Sequence, residues 1–153
     1  MKTLELKIPP PIIALLIATA MWLYKDFAPS FYLALPVRII AASLILSLAG
    51  YFGIAGTIAF RRAKTTVNPL KPENSSSLVT SGAYRFTRNP MYVSFTLILL
   101  AWMVYLSSIA LIAGPLFFAL YITLFQIQPE ERILQGIFGE AFTAYRQRTR
   151  RWL

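Results

Sequence analysis

The sequence predicts an all-α, polytopic membrane protein: four transmembrane helices, the last two a helical hairpin, then an amphipathic helix on the membrane surface. Three observations predict it. Of 153 residues, 57% are hydrophobic and only 14% charged, with mean hydropathy +0.59; a water-facing domain needs far more charge to cover its surface. The apolar residues come in long uninterrupted blocks, the pattern of bilayer spans. Finally, no charged residue occurs between Met91 and Ile127. At about 1.5 Å per residue, one helix of that length would far exceed a ~30 Å hydrocarbon core.

The first block, Ile12 to Tyr24, is short for a bilayer and must recruit Pro11, Phe27 and Ala28 at its edges, giving a span over about 11–28. No small-residue cleavage site follows this apolar run, so it reads as a retained anchor. Ala28-Pro29-Ser30 turns the chain into a second span over about 33–60, where Arg38 can snorkel to the nearer interface. Gly50, Gly53 and Gly56 recur every three residues on this helix, a spacing that allows close helix packing. Arg61-Arg62-Ala63-Lys64 stops it, and a polar loop (61–90) with Pro69, Pro72 and a run of three serines comes next, too polar for hydrocarbon and long enough to be functional. The apolar run then folds as two spans, about 91–107 and 109–127, turning near Ser107-Ser108, with Gly114-Pro115 in the first turns of the fourth. In the tail, 129–153, Ile133, Leu134, Ile137, Phe138, Phe142, Tyr145 and Trp152 lie opposite Arg132, Arg146, Arg148 and Arg150. That pattern predicts a basic amphipathic segment lying along the membrane, bent at Gly139. The whole chain, 1–153, reads as one domain.

Composition excludes several chemistries. Without Cys or His there are no disulfides, no zinc sites with the usual ligands, no thiolate nucleophile and no His base. The net charge of +9 reflects membrane topology rather than nucleic-acid binding. Eleven of the fifteen basic residues fall in the loop and the tail, which four spans put on one side. That side is expected to be cytoplasmic, with the N-terminus there too.

The stretch Gly82-Ala83-Tyr84-Arg85-Phe86-Thr87-Arg88-Asn89-Pro90-Met91-Tyr92 joins the polar loop to the third span. Taken alone, Asn89 and Pro90 are the N-cap and first residue of a helix, Arg88 and Tyr92 are interface anchors, and Glu130 and Glu131 begin the tail helix, favoured by its dipole. A hairpin, however, returns its ends to one face of the bilayer. Asn89-Pro90 and Pro129-Glu130-Glu131 must then be neighbours, and two carboxylates beside arginines and tyrosines form a cation-tolerant pocket at the edge of hydrocarbon. The carboxylates suit an ammonium and ribose hydroxyls; Tyr84 and Tyr92 offer ring faces to an adenine or a sulfonium.

Leu78-Val79-Thr80-Ser81-Gly82-Ala83-Tyr84, Arg88-Asn89-Pro90-Met91-Tyr92, Glu130-Glu131 and Phe138-Gly139-Glu140-Ala141-Phe142-Thr143-Ala144-Tyr145 together resemble the isoprenylcysteine carboxyl methyltransferase and phospholipid methyltransferase superfamily, over roughly the C-terminal half. The resemblance implies an integral membrane enzyme that moves methyl from S-adenosyl-L-methionine to a lipophilic acceptor; the absence of organelle signals points to a bacterial inner membrane. It implies a cofactor site lined by Ser76, Ser77, Leu78, Val79 and Tyr84, by Arg88, Asn89, Pro90, Met91 and Tyr92, and by Glu130 with Glu131 beside it. Eukaryotic members carry His at the positions of Ser76 and Asn89. Gln126 stands where an Arg is associated with a prenylcysteine carboxylate, which speaks against prenylcysteine esterification and marks Gln126 as a substrate-side position. A sulfonium methyl is already activated, so no metal or His base is demanded. If the acceptor must lose a proton, Glu131 and Tyr92 are the candidate bases. Two other functions fit parts of the sequence. A sterol-reductase-type NADPH enzyme has a similar Arg-His-Pro-x-Tyr corner but usually continues with Gly-Glu, where this chain has Val93-Ser94. A non-enzymatic membrane scaffold would use only the tail.

Overall fold

The computed structural model describes residues 5–31, 33–63, 70 and 72–153; Lys64 and Pro69, named above in the loop, lie outside them. The described residues are helical with no β-strand. Five α-helices form: α1 (Pro10–Tyr24), α2 (Leu35–Arg62), α3 (Pro90–Leu106), α4 (Ala113–Ile122) and α5 (Gln128–Arg148), with short 3-10 turns at Pro72–Asn74, Gly82–Arg85 and Ile109–Ile112. Prolines at the first turns of α1, α2 and α3 suit positions whose N–H has no helical partner.

Two helical stretches are long and apolar enough to cross a bilayer, Leu35–Arg62 and the continuous Ile109–Arg148; Pro10–Tyr24 and Pro90–Leu106 are shorter apolar helices. All alternate in direction. At one end, Ser107 Oγ donates to the Phe31 carbonyl (2.6 Å) and Ser108 Oγ to that of Pro29 (2.7 Å). These bonds lock the α1–α2 turn onto the α3–α4 turn, whose reversal uses Ser107 at φ 58°. At the opposite end the Leu6 amide donates to the Phe125 carbonyl at 3.0 Å, and Arg132 pairs with Glu5. The N-terminal segment, the α2–α3 loop and α5 therefore share one end.

Helix α3 is the centre, touched by α2, α1 and α4. Phe118 and Ile122, both 0% exposed, join Leu99, Met103 and Ile13 in the main core. Two buried polar contacts tie helices across it: Trp102 Nε1 to the Ala18 carbonyl (3.1 Å) and Ser94 Oγ to that of Ala49 (2.8 Å). Leu15, Leu16, Leu44, Ile54, Leu116 and Phe117 point outward, the apolar exterior that lipid tolerates and water does not.

Of the three spaced glycines, Gly53 and Gly56 form the α2–α3 contact while Gly50 faces open space. A Cβ on Gly53 would stand 2.9 Å from Ser94 Oγ, and one on Gly56 3.2 Å from Met91 Cγ and 3.3 Å from Pro90 Cγ. Gly53→Leu is thus expected to force the helices apart and cost about 1–3 kcal/mol of stability. Gly50→Leu should leave the melting temperature in detergent near wild type. Equal melting temperatures for the two variants would contradict this placement.

The tail differs from expectation. No helix begins at Pro129: α4 runs through a π-helical turn, Thr123–Ile127, straight into α5. Glu130 and Glu131 are consequently not at a free helix N-terminus, and dipole stabilisation does not explain them. A bend does occur at Gly139 (φ 50°, ψ −121°), backbone that only glycine adopts without strain. Beyond it Phe142 and Tyr145 turn inward, packing with Ala59, Val79 and Tyr84 rather than presenting themselves to a membrane surface.

Candidate active site

The α3 corner, the end of α2, the serine-rich loop and α5 enclose an open-mouthed cavity of about 110 Å³. Its wall includes Ser77, Leu78, Val79, Tyr84, Arg88, Asn89, Met91, Tyr92, Glu130 and Glu131. Ser76 is exposed and Pro90 packs beside Gly56; neither belongs to the wall. Gln126, 2% exposed, stands behind it and reaches the site through Glu130.

The two adjacent carboxylates have different surroundings. Glu130 Oε1 accepts from Tyr92 Oη at 2.6 Å and from Gln126 Nε2 at 2.7 Å. Both bonds end on one oxygen, and Oε2 has no donor among the described residues. Glu130 lies past the apolar stretch 109–127. Burial raises its pKa to about 7 despite the two hydrogen bonds, which favour the carboxylate, and Glu131's charge adds to the rise. Gln126 precedes Glu130 by four residues, so helical spacing alone sets it one turn below; it sits in the π-helical turn, and such turns are frequent at functional sites.

Glu131 is saturated. Arg88 Nη2 bonds its Oε1 at 2.8 Å, and Arg151 grips both oxygens, Nε to Oε1 at 3.1 Å and Nη2 to Oε2 at 2.7 Å. Burial pushes its pKa up, but hydrogen bonds from Arg151 and Arg88 outweigh this and hold it below the ordinary value. A carboxylate with both oxygens on guanidinium groups is a poor proton acceptor, so this geometry disfavours Glu131 as a base.

Arg88 is held as firmly. Its Nη1 donates to the Thr149 and Arg146 carbonyls and its amide to the Arg150 carbonyl, while its buried Nε has no partner among the described residues. Asn89 occupies the α3 N-cap without a side-chain capping bond. Its Nδ2 instead donates to the Arg151 carbonyl at 2.8 Å. Tyr92 is buried rather than anchored at an interface.

Aromatic rings close the other side. Phe60 meets Tyr84 edge-on, centroids 5.3 Å apart, and Tyr145 Oη donates to the Tyr84 carbonyl at 2.7 Å. Burial, with Tyr145 and Glu130 adding to it, pushes the Tyr84 phenol well above its usual value, so it stays neutral. Ser77 Oγ caps α2 through the Ala63 carbonyl (3.0 Å). Phe60, Pro72, Ser75, Leu134, Phe142 and Tyr145 also line the cavity, and Arg151 supports it; sequence patterns marked none of them as site residues. The Phe142/Tyr145 spacing was visible, but only the Gly139 bend aims it inward.

An uncharacterized protein of Haemophilus influenzae is 44% identical over 63 residues, which are 41% of this chain and all of that protein. No solved structure matches. The family model described as phospholipid methyltransferase matches residues 36–141, spanning α2, α3, α4 and the acidic pair. On that match the chain belongs to the phospholipid methyltransferase family of membrane methyltransferases.

Proposed function

We propose that the protein transfers methyl from S-adenosyl-L-methionine to a lipophilic, membrane-embedded acceptor at the cytoplasmic face. The observation that carries this reading is the convergence of Tyr92, Glu130 and the Phe60–Tyr84 ring pair on one cavity at the end of an apolar bundle. The residues present fit that cofactor. Glu130 has one oxygen committed to Tyr92 and Gln126 and one left for an ammonium or ribose hydroxyl. The rings of Phe60, Tyr84 and Tyr92 provide apolar faces, which also attract cations. When bound, the cofactor supplies a methyl group already activated by its sulfonium charge. The chain's task is then alignment and exclusion of water: Leu78, Val79, Met91 and Leu134 supply apolar wall, and Gln126 and Tyr92 hold Glu130 in place.

The basic residues of the loop and tail support an orientation with both termini cytoplasmic, four helices crossing the membrane. The family match, together with Val93-Ser94 after the corner, favours methyl transfer over NADPH-dependent reduction or a scaffold role.

Labelled S-adenosylmethionine and NADPH, offered separately to purified protein, test the reading: the first is expected to bind and the second not. Mass spectrometry of membrane lipids incubated with a deuterated-methyl cofactor would then identify the acceptor. Glu130→Ala and Tyr92→Phe are each expected to weaken cofactor binding about tenfold or more, the scale of a lost hydrogen bond to a charged group, while membrane insertion persists. Unchanged calorimetric affinity in both variants would remove Glu130 and Tyr92 from the site.

A further inference from the structure

Beyond α5 the chain returns to the α3 corner. Residues Thr87 and Arg150 form an isolated parallel bridge. Arg151 contributes both its backbone and its side chain: its carbonyl accepts from Asn89 Nδ2 (2.8 Å) and Thr87 Oγ1 (3.1 Å), and its guanidinium takes Glu131 at both oxygens. Trp152 anchors the neighbouring position, donating from Nε1 to Thr123 Oγ1 at 3.2 Å, on the π-helical turn, and packing against Phe52, Ala83 and Val93. One short stretch thus touches the corner, the acidic pair and the turn that carries Gln126.

Resting on the cofactor reading above, we propose that Arg151 is a positioning residue for the site: by clamping Glu131 it fixes the rotation of α5 and balances the neighbouring negative charge, so that Glu130 is presented as a carboxylate opposite Tyr92. Arg88 cannot do this alone, because it reaches only Oε1 of Glu131. A planar fork at both oxygens restricts rotation in a way that a single contact does not. The groups facing Glu130 from each packed element are Tyr92 on α3, Gln126 on the π-helical turn, Tyr84 on its 3-10 turn and Glu131 on α5. Arg88 and Arg151 act on it through Glu131. Loss of Arg151 leaves the Glu131 charge less compensated and therefore makes Glu130 harder to ionise.

Substituting the side chain leaves the carbonyl contacts to Thr87 and Asn89 possible, so the fold is expected to persist. The test begins with ligand-free protein, tracking the thermal midpoint against pH in wild type, Arg151→Ala, Arg151→Lys and the double variant Arg151→Ala/Glu131→Gln. The titration that Glu130→Gln abolishes identifies the Glu130 group. It is expected to move to higher pH in Arg151→Ala, to stay near wild type in Arg151→Lys, and to return in the double variant, where the uncompensated charge is gone. An unmoved midpoint in Arg151→Ala, or a double variant no different from it, would overturn the proposal; should Arg151→Ala fail to fold, Arg151→Gln replaces it. Calorimetry with S-adenosylmethionine then reads affinity, expected to fall about tenfold in Arg151→Ala at neutral pH and to recover as pH rises. A fall that pH does not reverse would mean Arg151 is merely structural. Wild-type protein that binds no cofactor would defeat the functional reading while leaving the ligand-free titration to judge Arg151.

Discussion

Replacing Glu131 with alanine is expected to lower stability by about 3–5 kcal/mol, the usual consequence of removing one partner from a buried ion pair. Two guanidinium groups depend on this carboxylate, and one of them, Arg88, is mostly covered, with its buried Nε already lacking a partner among the described residues. Truncation would strand Arg88 away from water at the junction of the corner and the tail. Glu131→Gln keeps acceptor capacity and should cost markedly less. The exposed Arg132–Glu5 pair provides the contrast: solvent screening makes such pairs worth about 0–1 kcal/mol, so Glu5→Ala should scarcely matter. Thermal unfolding in detergent distinguishes these cases, and a Glu131→Ala protein as stable as Glu5→Ala would refute the clamp.

Acidification is expected to stabilise the ligand-free protein between about pH 8 and pH 5, opposite to the trend of most paired carboxylates. Glu130 is raised from 4.5 to about 7 by burial, so the folded state binds its proton more readily than the unfolded chain does. The stabilisation is fully present below the unfolded value and is lost as pH climbs through about 7. With about 1.4 kcal/mol for each tenfold change in proton concentration across that interval, the swing is roughly 3 kcal/mol. Glu131 acts in the reverse sense. Its pKa is lowered by the arginines, so its contribution is present above the unfolded value and lost as pH falls through the folded one. Stability should therefore peak in mildly acidic solution. Glu130→Gln should flatten the slope between pH 5 and 8; a slope that survives would mean that another group titrates there.

The cofactor would oppose the Glu130 trend if it needs the carboxylate. Cofactor affinity should rise with pH over the interval in which ligand-free stability falls. A site that is less stable empty at neutral pH, and stabilised by its ligand through mass action, is consistent with a pocket built around an unneutralised charge.

Much of this architecture was legible in the chain alone. Apolar runs specify helices because a lipid-facing backbone must satisfy its own hydrogen bonds, and the charge-free stretch from Met91 to Ile127 is too long to do so as one span. Folding it back makes its two ends neighbours, so the meeting of Tyr92 with Glu130 comes from chain geometry alone. The turn near Ser107-Ser108 was legible from the length of the apolar run, and the bend at Gly139 for a local reason: φ 50° is backbone that glycine adopts readily.

Other features were closed to inspection of the sequence. Pro129 looks like a helix start because proline favours first turns, yet it also fits the helix after a π-helical turn, and nothing local separates the two cases. Amphipathicity marked the tail as lying against something apolar. Whether that something is lipid or protein depends on where Gly139 sends Phe142 and Tyr145.

By itself, the sequence determined that this is a helical membrane protein whose hairpin returns an acidic pair to a tyrosine-bearing corner, because hydropathy and span length act through nearby residues. Only the tertiary structure decided that Glu130 and Glu131 differ in kind. One is held by neutral donors with an oxygen to spare, the other is saturated by Arg88 and Arg151. Those partners lie 38 and 4, and 43 and 20, residues away, and most such pairings are set by packing rather than by any pattern along the chain.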